Sequence, residues 1–81
     1  MEIIEYTEFL VKSLVKNPDM VKVKLFESDD ESPILEIIVH SDDMGAIIGK
    51  GGKMATSIRT VVQSFAFLNN MPKVRVNIDS F

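Results

Sequence analysis

The residues best suited to chemistry lie in one short stretch, residues 47–53, where three glycines and two lysines interrupt an apolar helical pattern. Gly49 and Gly52 form a G-x-x-G spacing, and glycine lets the main chain adopt positive φ and approach a ligand closely. Lys50 adds a cation within this loop. A helical pattern begins at Lys53, and the free N–H groups and positive dipole end of a helix start favour an anion. The stretch therefore predicts a phosphate-binding loop.

Charge is distributed unevenly along this chain of 81 residues, whose net charge is −3. Residues 1–43 contain four lysines and eleven acidic residues, whereas residues 44–78 contain five basic residues and no acidic ones. The C-terminal half is therefore expected to form a basic surface, which is consistent with a polyanionic partner. Its basic residues are Lys50, Lys53, Arg59, Lys73 and Arg75.

The composition is that of one small globular domain covering residues 1–81, with 46% hydrophobic and 26% charged residues. Because cysteine is absent, neither a disulfide nor a thiolate metal site is available. The N-terminus lacks a signal-peptide pattern, and no apolar run reaches the ~18 residues that a membrane span needs. We therefore expect a cytoplasmic protein without a membrane span.

Apolar periodicity predicts a first helix over residues 2–16, which the Asn17-Pro18 pair ends because the residue before a proline disfavours the helical region. Alternating apolar residues predict strands at 20–27, 34–40 and 73–79. The first two strands are expected to form an antiparallel hairpin, because only a short polar turn at residues 28–33 separates them.

Two helices are predicted between the second and third strands. The first covers residues 43–48, is capped by Ser41 or Asp42, and ends at Gly49. The second covers residues 53–68, with an apolar face of Met54, Ile58, Val61, Val62, Phe65 and Leu68. More than thirty residues separate the two strands, which is enough for a crossover to a parallel neighbour. The order α-β-β-α-α-β predicts an α+β fold, with three helices packed on one face of a three-stranded mixed sheet.

With a G-x-x-G loop between two helices in this order, the chain resembles a type II KH domain over its whole length. Residues 41–45, 47–50 and 58–62 also resemble the KhpA-type bacterial proteins, which consist of a lone KH domain. The resemblance implies a loop that clamps about four nucleotides of single-stranded RNA. It further implies a homodimer, a second KH partner of the KhpB (Jag or EloR) type, and a role as an RNA chaperone or regulator in envelope growth and cell shape.

The same resemblance assigns roles to residues of the loop and its flanks. Ile47 and Ile48 would end the short helix and help line the groove, residues 49–52 would hold the sugar-phosphate backbone, and Lys53 would follow at the helix start. Arg59 is either a wall of the groove or a surface residue. The predicted RNA-binding residues are Ile47, Ile48, Gly49, Lys50, Gly51, Gly52, Lys53 and Arg59.

Two departures from the family pattern point to weak binding. Gly51 stands where a polar side chain is more usual, and Thr56 and Ser57 bring no charge to the start of the long helix. Bases are expected on an apolar floor of Ile47, Ile48, Ile58 and Ile38 without an aromatic platform, so that stacking is largely unavailable. We therefore expect a single domain to bind RNA weakly and with little sequence preference.

Other interpretations of the loop remain open. It could be a plain turn between helices with solvated lysines, or part of a protein-interaction domain that keeps the KH shape without RNA affinity. A nucleotide-binding P-loop is disfavoured, because Gly45 and Gly49 are one residue too close and Gly51 replaces the required hydroxyl residue. Lys73 and Arg75 are either solvated or in contact with RNA. Phe67 and Phe81 are either core residues or part of a partner surface.

No catalytic or cofactor-binding constellation is predicted. His40 is the only histidine, so a His-based triad or cluster cannot form, and we expect it on the surface at a strand end. The acidic turn at residues 29–31 lacks the ligand spacing of a calcium loop. We therefore expect no enzymatic activity, no cofactor and no metal.

Overall fold

A computed structural model describes residues 1–27, 29 and 31–81, and it has the predicted α-β-β-α-α-β order. The helices and strands are α1 Ile3–Lys12, β1 Lys22–Phe26, β2 Ile34–Val39, α2 Met44–Ile48, α3 Lys53–Leu68 and β3 Arg75–Ser80. Short 3-10 turns occur at Pro18–Met20, Ser41–Asp43 and Lys50–Gly52. Ser28 and Asp30, in the predicted polar turn, lie outside the described residues.

The sheet has the strand order β1-β2-β3, with β2 in the centre. β1 pairs with β2 in antiparallel orientation, and β3 pairs with β2 in parallel orientation. Both orientations confirm the sequence prediction. Leu35, Ile37 and Val39 of β2 are fully buried against the helices, whereas Lys22 and Lys24 of β1 point to the open face of the sheet.

The core lies between this sheet and the three helices. α1 contributes Ile3 and Val11, and α2 contributes Ile47. A stacked aromatic pair joins α1 to α3, with the Tyr6 and Phe65 ring centroids 4.4 Å apart. None of the helices within the described part of the chain is long and apolar enough to cross a membrane.

The first helix is shorter than predicted, because it ends at Lys12 rather than Lys16. The Ser13 hydroxyl donates to the Phe9 carbonyl at 2.7 Å in the last turn. The N–H groups of Lys16 and Asn17 then donate to the carboxylate of Asp43, at 3.0 and 3.1 Å. A tertiary contact thus takes the donors that a continuing helix would need.

The third helix has the predicted bounds, but its buried face is different. Val61 and Leu68 were expected inside and are 38% and 82% exposed, while Ala55 and Ala66 are buried. The buried stripe of α3 consists of Ala55, Ile58, Val62 and Ala66. Phe67 and Phe81 are also exposed, so neither is a core residue.

The start of the second helix also differs from the prediction. Ser41 and Asp42 do not cap it, since both lie in the 3-10 turn that precedes α2. The cap of this turn is His40, whose Nδ1 accepts a hydrogen bond from the Asp42 N–H at 3.0 Å. His40 is accordingly half-buried and structural rather than a free surface residue.

Candidate nucleic-acid interface

The loop of residues 49–52 turns the chain from α2 into α3 by means of glycine. α2 ends at Gly49, which has φ 75° and ψ 173°, and the Gly49 N–H closes the last turn by donating to the Gly45 carbonyl at 2.9 Å. Gly51 and Gly52 also have positive φ, at 64° and 78°. Side chains rarely tolerate such φ values, so the loop presents mostly bare main chain.

The start of α3 follows directly and has no side-chain cap. Its N-cap residue is Gly52, and no side chain caps the first turn. The Lys53 N–H donates to the Lys50 carbonyl, but the next amides have no capping side chain. Such a helix start carries unsatisfied N–H groups and a partial positive charge, both of which favour phosphate.

Two exposed lysines flank this helix start. Lys50 lies within the loop and Lys53 opens α3. Neither forms an ion pair with a described residue, since the Lys and Arg pairs there join Lys12 to Glu8 and Arg75 to Glu31. Both ammonium groups are therefore available to a ligand.

The predicted apolar floor is mostly absent. Ile47 is 0% exposed and Ile58 is 2% exposed, so both side chains belong to the core beneath the loop. Ile38 is on β2 but points to the face of the sheet opposite the helices. Only Ile48 remains half-exposed beside the loop. Ile47 and Ile58 are therefore covered by the core, because periodicity does not report burial depth, whereas Ile38 is on the outward side of β2 as predicted.

Arg59 lies at the junction between α3 and the free edge of β3. Its Nε donates to the Val76 carbonyl at 3.2 Å, and one turn later Gln63 Nε2 donates to the Val74 carbonyl at 3.0 Å. These carbonyls point away from β2, because the intervening Arg75 N–H bonds toward it, to the Pro33 carbonyl. This hydrogen bond holds the Arg59 side chain between α3 and β3.

The other two basic residues lie away from the loop. Arg75 is in register with Ile34 on the open face of the sheet, and its Nη2 lies 3.9 Å from Glu31 Oε2. Lys73 is exposed ahead of β3. The structure therefore places Lys50 and Lys53 at the α2–α3 loop, Arg59 between α3 and the edge of β3, and Arg75 on the open face of the sheet.

Asp43 is a residue near the site whose importance the sequence did not reveal. It is only 2% exposed, and its carboxylate accepts from the Lys16 N–H, the Asn17 N–H and Asn17 Nδ2 at 3.0, 3.1 and 3.1 Å. The hydrogen bond from Lys16, then those from Asn17 and the proximity of His40, lower the pKa of Asp43, although burial opposes them. An acidic residue before a helix is common, and no sequence signal indicated partners 26 and 27 residues upstream.

No metal site accompanies these residues. Within residues 1–27, 29 and 31–81, no group of three or more His, Cys, Asp or Glu side chains could hold a metal ion. The chemistry available at the loop is therefore that of main-chain amides and lysines, which bind anions.

Comparison with known proteins gives consistent matches. A family model described as KhpA/KhpB, KH domain matches residues 5–78. The RNA-binding protein KhpA of Clostridium perfringens is 46% identical over 74 residues, which cover 91% of this chain and 96% of the relative. The proteins of the same name from Borreliella burgdorferi and Mycobacterium tuberculosis are 45% and 43% identical, over 83% and 74% of this chain and 80% and 74% of the relatives.

Two solved structures share the fold. One is a variant of Aquifex aeolicus Era bound to GDP·AlF4−, with a TM-score of 0.70. The other is Era in complex with MgGDPNP and nucleotides 1506–1542 of 16S ribosomal RNA, with a TM-score of 0.71. Each match covers 98% of this chain but only 30% of the Era chain, at 20% identity. At that identity the similarity concerns the fold alone.

Proposed function

Because the chain belongs to the KhpA/KhpB KH-domain family, we propose that it binds single-stranded RNA by clamping the sugar-phosphate backbone with residues 49–52. The observation that carries this proposal is a bare main chain with three positive-φ glycines, placed directly against the uncapped start of α3. The curated relatives named RNA-binding protein KhpA support RNA as the ligand.

The clamp works through approach and charge. Without Cβ atoms, Gly51 and Gly52 leave the space around them open, so a phosphate can reach the main-chain amides. Lys50 and Lys53 neutralise its charge from either side of the helix start. Arg59 is held against the edge of β3 by the hydrogen bond from its Nε, and it forms the far wall of the RNA-binding groove. The rest of its guanidinium group faces the RNA.

Affinity for RNA is expected to be low in a single domain. Of the four predicted isoleucines, only Ile48 is half-exposed beside the loop, and stacking on aromatic side chains, which adds about 1–3 kcal/mol per base, is not provided at the loop. A second domain raises the effective concentration of the loop for the same RNA strand. The proposal therefore includes a homodimer or a second KH protein of the KhpB (Jag or EloR) type.

The outer face of α3 supports self-association. After Lys53 its exposed residues carry no charge, and Val61, Phe67 and Leu68 are 38%, 70% and 82% exposed. Replacing Leu68 by Asp should convert a dimer to a monomer in size-exclusion chromatography with light scattering, whereas Lys50→Asp should not. A cytoplasmic RNA chaperone or post-transcriptional regulator acting in bacterial envelope growth is the cellular role within this proposal.

The decisive experiment replaces Lys50, the cation of the loop, together with Gly51, whose surroundings are open. The variant Lys50→Asp/Gly51→Asp should lose most binding to a fluorescein-labelled single-stranded RNA in low-salt anisotropy, because two carboxylates repel the phosphates. Lys73→Asp is the matched control, since Lys73 is exposed but lies outside the loop. Equal affinity of the double variant and the native chain would show that the loop is not the clamp.

A second candidate function is protein interaction without RNA. The exposed side chains of Val61, Phe67 and Leu68 on α3 and the net charge of −3 favour it. The two functions separate in the same titration, because a protein-interaction domain retains no RNA even in the native chain at low salt. Its dimerisation would then remain sensitive to Leu68→Asp alone.

A further inference from the structure

We propose that Asp43 is a positioning residue for the loop of residues 49–52. Its carboxylate ties the start of α2 to the chain between α1 and β1, and this tie sets where α2 delivers the loop. The inference rests on the proposed function, in that the loop must be the RNA clamp for its position to matter to binding.

The tie consists of one carboxylate and three donors. Oδ1 accepts from the Lys16 N–H at 3.0 Å, and Oδ2 accepts from the Asn17 N–H and Asn17 Nδ2, both at 3.1 Å. Asp43 is 2% exposed, so water does not compete strongly for these bonds. Hydrogen bonds to an ionised acceptor are also about twice as strong as neutral ones. The connection is therefore specific in both distance and direction.

α2 depends on such a tie because it is short. It has five residues, too few to form a stable helix without tertiary contacts. Asp43 fixes its first end, Ile47 anchors its middle in the core, and Gly49 ends it. Asp43 and Gly49 are six residues apart, or about 9 Å along a helix. A displacement of the first end is therefore passed to the loop over fewer than two helical turns.

Apart from any positioning role, the negative charge of Asp43 should weaken RNA binding. Asp43 and Gly49 are separated by about 9 Å along the helix, which is within the Debye length of ~10 Å at 0.1 M salt, so the charge of Asp43 is expected to act on a phosphate held at the loop. Charge alone therefore predicts that removing this carboxylate strengthens RNA binding or leaves it unchanged. Positioning predicts the opposite, since an asparagine amide would face one of the three donors. The two explanations differ in the sign of the effect.

The test compares Asp43→Asn with Asp42→Asn. Asp42 is the neighbouring carboxylate, and its side chain is 80% exposed, so this control makes the same charge change without breaking the tie. Affinity for a fluorescein-labelled mixed-sequence RNA decamer is measured at a temperature where circular dichroism shows each variant folded. We expect Asp43→Asn to bind at least about fivefold more weakly, the lower end of usual coupling between linked sites. Asp42→Asn should bind as tightly as the native chain or more tightly.

A milder variant covers the case in which Asp43→Asn does not fold. Asn17→Ala removes one of the three donors and leaves both main-chain bonds, so it should weaken RNA binding in the same direction by a smaller factor. The amide resonances of residues 49–53 in the free protein should move in Asp43→Asn and Asn17→Ala and stay in place in Asp42→Asn. A merely structural role would lower the melting temperature without moving these resonances.

The outcomes separate the two proposals. If Asp43→Asn binds RNA as tightly as Asp42→Asn while Lys50→Asp/Gly51→Asp loses binding, the clamp stands and the positioning role of Asp43 is overturned. If Lys50→Asp/Gly51→Asp keeps its affinity, the clamp itself fails. The resonances of residues 49–53 then decide alone whether Asp43 sets the position of the loop.

Discussion

Gly49 and Met54 touch so closely that residue 49 has no room for a side chain. A Cβ placed on Gly49 would lie 2.6 Å from the Met54 Cβ and 2.8 Å from the Met54 nitrogen. This contact presses the end of α2 onto the first turn of α3. It therefore restricts how the two helices meet at the loop.

Gly49→Ala should lower both stability and RNA affinity. The substitution forces α2 and α3 apart and places alanine at φ 75°, ψ 173°, a region that costs roughly 1–3 kcal/mol for residues other than glycine. Urea denaturation measures the stability and RNA anisotropy measures the affinity. Gly45→Ala is the matched control, because its Cβ would meet nothing within 4 Å and alanine favours a helix by about 0.5–1 kcal/mol. Equal stability of the two variants would contradict the close contact.

Gly51→Ala should cost stability for a different reason. A Cβ on Gly51 would meet nothing within 4 Å, so only the backbone conformation at φ 64°, ψ 21° opposes a side chain. We expect a loss of roughly 1–2 kcal/mol in the free energy of unfolding, the usual cost of the left-handed region. Gly51→Asn should lose less, because asparagine tolerates this region better. Alanine and asparagine variants of equal stability would argue against strain at this position.

Thr7→Val should stabilise the protein. The Thr7 hydroxyl is fully buried, and its oxygen has no hydrogen-bond partner among the residues that the structure describes. An unsatisfied buried polar group costs about 1–3 kcal/mol, and valine has a similar shape without it. We expect thermal or urea unfolding to show a gain of about 1 kcal/mol. Thr60→Val should show no gain, since the Thr60 hydroxyl is exposed and donates to the Thr56 carbonyl at 2.9 Å.

The difference in stability between the native chain and Asp43→Asn should depend on pH. The pKa of Asp43 is lowered from 3.8, by the Lys16 hydrogen bond first, then by Asn17 and His40. As the pH falls, the unfolded chain therefore takes up this proton before the folded chain does. The contribution of the ionised Asp43 to the free energy of unfolding is complete above pH 3.8 and is lost as the pH falls through the pKa of the folded state. Urea denaturation from neutral pH downward should show the gap narrowing below 3.8. If the difference in stability between the two proteins does not change with pH, the charge of Asp43 does not contribute to stability.

RNA binding should weaken with salt in proportion to the number of phosphates held. For single strands the logarithm of the binding constant falls with a slope of about −0.7 per neutralised phosphate. Lys50→Ala and Lys53→Ala should each reduce that slope by about 0.7 if each ammonium contacts one phosphate. Lys22→Ala should leave it unchanged, because Lys22 lies on the open face of the sheet. Anisotropy titrations at several salt concentrations measure the slopes of the native chain and the three variants. A reduced slope for Lys22→Ala would show that RNA contacts the open face of the sheet.

Local patterns sufficed for much of the fold. The bounds of α3, the glycine that ends α2 and the alternation of β2 follow from the spacing of apolar residues and from the conformational freedom of glycine. These signals are local, since each depends on residues within a few positions of one another. The parallel pairing of β3 with β2 also followed, because a long crossover leaves few other arrangements.

Burial depth could not be obtained in the same way. Periodicity placed Ile47 and Ile58 on apolar faces, but only packing shows that they lie in the core rather than on a groove floor. The same applies to Val61 and Leu68, which periodicity placed inside and packing leaves exposed. The apolar periodicity of a helix shows which side chains lie on the same face. It does not show whether other parts of the protein cover that face.

The sequence by itself determined the order of the elements and a glycine-rich loop open to an anion, because turns and helix starts depend on neighbouring residues. Only the tertiary structure decided where α1 ends, why Gly49 cannot be replaced and what Asp43 holds. Each of these results depends on atoms of distant segments meeting within about 3 Å, as when the Asp43 carboxylate reaches the main chain of Lys16 at 3.0 Å. Such contacts arise from packing, and the spacing of residues along the chain does not predict them.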